Sequence, residues 1–596
     1  MAGADPTGGW VFSTPPVSDA MTSPAATTTL RLGSPAEHVF PRLTPAQMDR
    51  VAAHGRRRRV GSGEVLLEIG ESGRIFVITV GSVETMRVVA DVEEIIVTHG
   101  VGSFTGEVAV LSGRRGLARN RAREAGEVIE VDRSQLMALV QTDSELSDIF
   151  MRAFILRRLA VIARGSADVV LVGSRHSAGT LRIKEFLTRN GQPLTYIDLE
   201  QDADVQELLD RFHVGAAEVP VVILGGRTVL HNPTNERIAE CVGLNAPVDS
   251  AQVRDVVIVG AGPAGLAAAV YGASEGLDVL VVESAAPGGQ AGASSRIENY
   301  LGFPTGISGQ DLADRAYSQA QKFGAQVTVA KKARALRCQR QPFSIELQDG
   351  STVSARTIVI ATGASYRKPA VQDLARFEGV GVYYGATAME AQVCRGEDVV
   401  VVGGGNSAGQ AAVFLAQSAR RVYMLVRATG LAETMSHYLI RRIEQSPSIE
   451  LKTRMEIVAL EGGDRLEAVH CRNNQTMAVE RRAVGHVFVM TGAEPATRWL
   501  ADCVVLDDKG FVKTGTDLTR DELTAAGWPP TRAPRHLETS LPGVFAVGDV
   551  RSGNQKRVAS AVGEGSTAIA LVHQALKDGS SLTPDGPPAT AAMVRR

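Results

Sequence analysis

"DVVIVGAGPAGLAAAVYGASEGLDVLVVES", residues Asp255–Ser284, runs from an apolar strand through a glycine turn into a helix, then into a second strand that ends in an acid. Each position has a physical task. Gly260 makes the tight turn, and Gly262 lets the backbone approach a pyrophosphate where Pro263 and Ala264 open the helix. Gly265 lets helix and strand pack closely, and Glu283 stands where it can accept hydrogen bonds from a ribose. Strand, turn, helix and acid in register point to a bound dinucleotide.

A second copy, "EDVVVVGGGNSAGQAAVFLAQSARRVYMLVR", spans Glu397–Arg427, with Gly403, Gly405 and Ala408 in the fingerprint positions and Asn406 and Ser407 opening its helix. Two such units imply two dinucleotides, and the usual pair is FAD first and a nicotinamide second. The spacing that leads from Gly260 to Glu283 leads from Gly403 to Val426, followed by Arg427. No carboxylate favours an unphosphorylated ribose, while a guanidinium suits a 2′-phosphate, so NADPH is expected, with NADH as the alternative.

Three further stretches, "PGGQAGASSRIENYLGFP", "IVIATGASYRKP" and "TSLPGVFAVGDVRSGNQKRVASAVGEGSTAIA", follow in order. Together with the two glycine turns they closely resemble the low-molecular-weight thioredoxin reductases, a branch of the pyridine nucleotide-disulfide oxidoreductases. The resemblance implies that Gly289, Gln290 and Asn299 face the flavin and that Thr362 and Gly363 belong to its site. It also implies that Asp549 bonds the ribityl chain, and that Arg557 and Val558 lie along the FAD near the isoalloxazine. The family's disulfide belongs in a Cys-Ala-Thr-Cys stretch. Here "VYYGATAMEAQVC", Val382–Cys394, carries Gly385 and Ala388 at the two cysteine positions and Met389 for the acid, with Glu390 displaced by one. Cys394, just before a strand, reads as packing.

Ahead of these units, Leu43 to Ile162 alternates in short glycine-broken stretches, which reads as an antiparallel β jelly-roll barrel followed by one long helix. "GSFTGEVAVLSGRRGLAR", Gly102–Arg119, resembles the cyclic-nucleotide-binding domain. The resemblance places the cyclic phosphate on the amides at Gly106 and the ribose hydroxyl on Glu107. The phosphate arginine falls at Gly116, with Arg115 one residue early and Arg119 three late. A barrel kept for docking or for another ligand is the alternative. Residues 167–247 alternate strand and helix, and Val219-Pro220 before "VVILGG" resembles the cis-proline loop of the thioredoxin and glutaredoxin fold. Ser174-Arg175-His176-Ser177 stands where that family has its CxxC, so the module cannot carry a dithiol.

The expected parts are a disordered tail (1–40), a cyclic-nucleotide-binding-like domain (41–164), a thioredoxin-like α/β domain (167–247), an FAD domain in two pieces (253–369 and 486–578) enclosing an NAD(P)H domain (370–485), and a loose tail (579–596). Both nucleotide domains are read as Rossmann-like α/β. The chain's 596 residues exceed what one core supports. With 63 basic and 65 acidic residues there is no surplus to neutralise phosphates, and Arg56–Arg59 reads as a solvated turn, so nucleic acid is not expected. Five scattered cysteines do not make a disulfide framework, and no metal site is expected. A reducing cytoplasm, no membrane span and a homodimer through the FAD domain complete the expectation. The joint loss of both cysteine pairs, in a layout like the flavoprotein subunit of alkyl hydroperoxide reductases, suggests an oxidoreductase that passes hydride from NADPH to FAD. Its acceptor would be a quinone, an electron-transfer protein or oxygen. A regulatory flavin-binding protein and a true thioredoxin reductase are the alternatives.

Overall fold

The computed structural model describes residues 38–579 apart from 72, 90–91, 107–108, 113, 115, 117, 164–168, 175–176, 200–218, 226–227, 340, 464 and 501–502. Of the two expected tails, only residues 38–40 and 579 are among those described.

Helix Pro45–Ala52, closed by a Thr44/Gln47 capping box, leads into two antiparallel sheets. One sets Gly126–Val131 between Arg56–Val60 and Ile75–Val80, and the other runs Val65–Leu67, Arg119–Ala122, Val83–Val89, Val92–His99. The two-residue period of a strand decides how they pack. Phe76 and Ile78 face the opposite sheet with Val83, Ala122 and Val128. Their neighbours Ile75 and Val77 face Phe104, Phe150 and Phe154 beneath the helices. Two sequence expectations change here. Arg56–Arg59 is a strand rather than a turn, and three of its arginines are ion-paired. Arg56 reaches Glu130 (3.0 Å), Arg57 reaches Asp49 (3.0 Å) and Glu127 (3.1 Å), and Arg58 reaches Glu64. The expected single long helix is two, Arg133–Thr142 and Ser144–Ala163. Asp143 takes extended backbone between them, and its carboxylate caps the second by accepting from the Leu146 amide at 3.0 Å.

The next module is a four-stranded sheet in the order Thr228–His231, Val221–Leu224, Val169–Gly173, Thr195–Asp198, with only the last pair parallel. Helices Ala178–Arg189 and Asn235–Cys241 accompany it. The Val219–Pro220 peptide is cis. Arg175, His176 and the second expected helix lie outside the described residues.

Residues beyond Val253 form two α/β units. In the first, Gln326–Thr328, Val279–Val282, Val253–Val259, Thr352–Ile360 and Val544–Ala546 run parallel, with two antiparallel strands at one side. In the second, Val382–Tyr383, His486–Val489, Asp398–Val402, Arg421–Val426 and Ile449–Thr453 are all parallel. The strand His486–Val489 thus lies inside the second sheet, beyond the expected boundary at 485. Hydrophobicity alone cannot assign a buried parallel strand to one of two neighbouring sheets. The chain crosses between the units twice, and the crossings, Ala364–Tyr366 and Ala493–Pro495, pair as an antiparallel ribbon. Cys338 and Cys503, 165 residues apart, form a disulfide with their Cα atoms 6.0 Å apart. The sequence reading of five scattered cysteines without a disulfide framework does not foresee this pair, because only the return of the chain to the first unit brings the two together.

Candidate functional site

Both glycine turns are built alike. Gly260 has φ +106°, and a Cβ there would come within 2.3 Å of the Ala361 carbonyl oxygen. Gly403 has φ +143° and would meet the Met490 carbonyl oxygen at 2.4 Å. In each unit the turn is squeezed against the end of the neighbouring parallel strand, where only glycine fits. Helices Pro263–Ser274 and Asn406–Leu415 start from Gly262 and Gly405, neither of which has a side-chain cap. Their first amides are therefore free for an anion.

In the first unit the space above the helix start is bounded by a second glycine. A Cβ on Gly289 would lie 3.0 Å from the Gly262 Cα, so the two loops meet through bare backbone beside the uncapped helix start, where the free amides suit a pyrophosphate. Gly265 touches the turn so closely that a Cβ would stand 1.8 Å from the Gly260 carbonyl oxygen, and Ala264 is buried under the returning helix Val558–Gly579. Glu283 is buried. Its carboxylate accepts from the Ala261 amide at 2.7 Å and the Ala285 amide at 2.8 Å, which ties the acid to the turn. Gln290 donates to the Ala364 carbonyl at 2.5 Å, and Thr362, next to Gly363, donates to Ala496 at 2.9 Å. Both contacts bind the cleft to the ribbon. Asp549 lies in the single turn Gly548–Val550, well before the helix that begins at Val558, so it is not that helix's N-cap. Burial raises its carboxyl pKa, opposed by Lys556 and reinforced by Glu564. Asn299 and Arg557 are exposed.

In the second unit Ala408 is fully buried, Ser407 and Arg427 are exposed, and Val426 closes over Gly404. The chain after Arg427 folds back on the turn. Thr434 donates to the Gly404 carbonyl at 2.7 Å, and the Asn406 carboxamide oxygen accepts from the Ser436 amide at 2.8 Å.

Sequence reasoning missed Tyr366. It is half-buried on the ribbon, its hydroxyl bonds Ser407 at the second helix start, and it feels the charge of Asp549. One side chain thus spans the two clefts. Its only sequence signal is its place soon after Gly363.

The segment Gly385–Cys394 lies against the first unit, since a Cβ on Gly385 would meet the Ala293 Cβ at 4.0 Å. Ala388 and Met389 begin helix Ala388–Val393. Glu390 turns back to accept from the Thr387 amide (2.8 Å) and hydroxyl, a capping role, and burial raises its pKa. Cys394 is fully buried, which pushes its thiol up to about 12.

In the N-terminal module, the Gly106 carbonyl accepts from the Arg157 guanidinium at 2.8 Å. Glu107 and Arg115 lie outside the described residues. Arg119 is engaged by Glu68 at 2.9 Å and Glu93 at 2.5 Å. Among the described residues no cluster of metal-ligating side chains occurs, and no helix is long and apolar enough to cross a membrane.

Residues 254–579 match the family model described as pyridine nucleotide-disulphide oxidoreductase, and residues 57–143 match the cyclic nucleotide-binding domain. A thioredoxin reductase of Mycoplasmopsis pulmonis is 30% identical over 328 residues, 55% of this chain and 98% of that protein. One from Mycolicibacterium smegmatis is 33% identical over 319 residues, 54% and 95% respectively. The crystal structure of Lactococcus lactis thioredoxin reductase matches at 27% identity and a TM-score of 0.49, covering 55% of this chain and 99% of that one.

Proposed function

Since this chain belongs to the pyridine nucleotide-disulphide oxidoreductase family, as an oxidoreductase of thioredoxin reductase-like build with FAD and NADPH as the family's cofactors, we propose that it delivers electrons to an acceptor other than a dithiol. Bound in the first cleft, FAD would supply hydride acceptance from NADPH and electron transfer onward. The residues named above would do the holding. Gly260, Gly262 and Gly289 would admit the pyrophosphate, Glu283 the ribose and Asp549 the ribityl chain, while Arg427 would select the 2′-phosphate.

One observation carries the acceptor reading. Gly385 lies beside the flavin loop with no sulfur, and of the free cysteines nearby only Cys394 is close in sequence, buried and held protonated. At this loop no thiolate is available to relay electrons. Gly385 and Ala388 carry nothing larger than a methyl at the two cysteine positions, which supports a planar acceptor such as a quinone. The order of the sheet Thr228–His231, Val221–Leu224, Val169–Gly173, Thr195–Asp198 supports a thioredoxin-like middle module, and the two antiparallel sheets support a jelly-roll barrel. The match to the cyclic nucleotide-binding domain supports a cyclic nucleotide as that barrel's ligand.

Anaerobic mixing with NADPH should bleach the flavin, and quinones or dyes should then turn over while thioredoxin is not reduced above the free-flavin rate. Robust thioredoxin turnover that survives Cys394→Ser would overturn this reading.

A further inference from the structure

The flavin cleft is not held by its own domain alone. Helix Ala178–Arg189 of the middle module ends against it, and two consecutive residues grip the two loops that line it. Arg189 donates to the Gly289 carbonyl at 2.8 Å. Asn190, 5% exposed, donates to the Ala285 carbonyl at 3.2 Å. Ala285 is the residue whose amide binds Glu283, so Asn190 holds one side of a peptide pair and the ribose acid the other.

The barrel closes this junction. Arg114 comes from the segment that carries the cyclic-nucleotide resemblance, yet it turns away from the barrel and is 9% exposed. Its guanidinium donates to three places at once, the Asn190 carbonyl (3.2 Å), the Leu244 carbonyl (3.1 Å) and the Tyr317 hydroxyl (3.0 Å). Tyr317 sits on helix Gly309–Lys322 of the first α/β unit, one turn beyond Ala313, and Ala313 packs so tightly that a Cβ on Gly288 would meet it at 2.5 Å. Gln310 of the same helix donates to the Arg189 carbonyl at 3.2 Å. A buried planar donor with three acceptors on two other modules fixes their relative position.

We infer that Arg189 and Asn190 are positioning residues for the flavin loops, supplied by the middle module and locked by Arg114 of the barrel, so that the barrel's ligand segment and the flavin cleft share one hydrogen-bonded junction. This rests on the reading that FAD occupies the first cleft. Arg114 lies beside the segment a barrel ligand would contact, and a displacement there reaches Gly289 through two hydrogen bonds and Glu283 through three.

The test uses the full-length holoprotein and reads FAD release by the rise in flavin fluorescence, with amide exchange of residues 285–292 beside it. Arg189→Ala should release FAD about tenfold faster, the scale of one charge-assisted hydrogen bond, and Arg189→Lys should recover part of the loss. Arg114→Ala should speed release by about threefold, and Arg114→Ala with Arg189→Ala by less than the product of the two, as expected of one shared path. Exchange in the strands of the second α/β unit should stay unchanged, which separates a loosened junction from a misfolded chain. A yellow wild-type protein whose variants release FAD at its rate, or whose double variant multiplies fully, would overturn the inference. A colourless wild type would instead overturn the flavin reading beneath it.

Discussion

At the scale of single residues, the two nucleotide clefts differ in what they offer the ribose. Glu283 is engaged by its own turn, with bonds to the Ala261 and Ala285 amides, so under the proposed flavin reading its loss would remove a ribose acceptor and loosen the loop together. Glu283→Ala should weaken FAD retention by about 1.5–3 kcal/mol, read by equilibrium dialysis. Arg427 follows the strand Arg421–Val426 and is exposed. Arg427→Ala should raise KM for NADPH about tenfold and leave KM for NADH nearly unchanged, because only NADPH has the phosphate. Equal effects on both would remove the case for NADPH. The thiols make a separate test. Burial pushes Cys394 up to about 12 and Cys471 up to about 11, so a thiolate-seeking reagent should label native protein at the half-buried Cys241 and spare both.

At the scale of elements, the second sheet of the N-terminal module contains a pH-sensitive point. The Thr85 hydroxyl donates to the Asn120 carboxamide oxygen at 2.6 Å, so its 3.0 Å contact with His99 must be a bond received from Nε2–H. His99 is neutral and 3% exposed, and burial, followed by the nearby Arg157 charge, lowers its pKa from 6.5 to about 3. A histidine harder to protonate folded than unfolded stabilises the fold in full above pH 6.5 and progressively less as pH falls toward 3, with a ceiling of ~5 kcal/mol. Protection factors of the amides in Val83–Val89 and Val92–His99, taken against the intrinsic exchange rate at each pH, should therefore fall on acidification through that window, and His99→Gln should flatten the response. A pH-independent wild type would contradict the buried neutral ring.

Across the whole molecule, the segment matching a cyclic nucleotide-binding domain and the dinucleotide-fold units lie in separate modules joined by hydrogen bonds such as those of Arg114. Cyclic AMP should bind the full-length chain with measurable heat, and the factor by which it alters NADPH affinity must equal the factor by which NADPH alters its own. Calorimetry run in both orders checks the equality. No heat at millimolar nucleotide would leave the barrel as a docking module.

Much of the first cleft was legible in sequence because its requirements are local. A turn squeezed between two parallel strands needs glycine at Gly260 and Gly403, and an acid at a strand end follows at fixed spacing, so residue order alone carried both nucleotide units and the absence of cysteines at Gly385 and Ala388. Everything that depends on distant segments meeting was decided by the tertiary structure. The Cys338–Cys503 pair, the assignment of His486–Val489 to the second sheet, Tyr366 between the clefts, and the grip of Arg114, Arg189 and Asn190 leave no periodic trace. Their partners are chosen by how modules pack, and an arginine bound to a remote carbonyl has the same neighbours in sequence as one facing water.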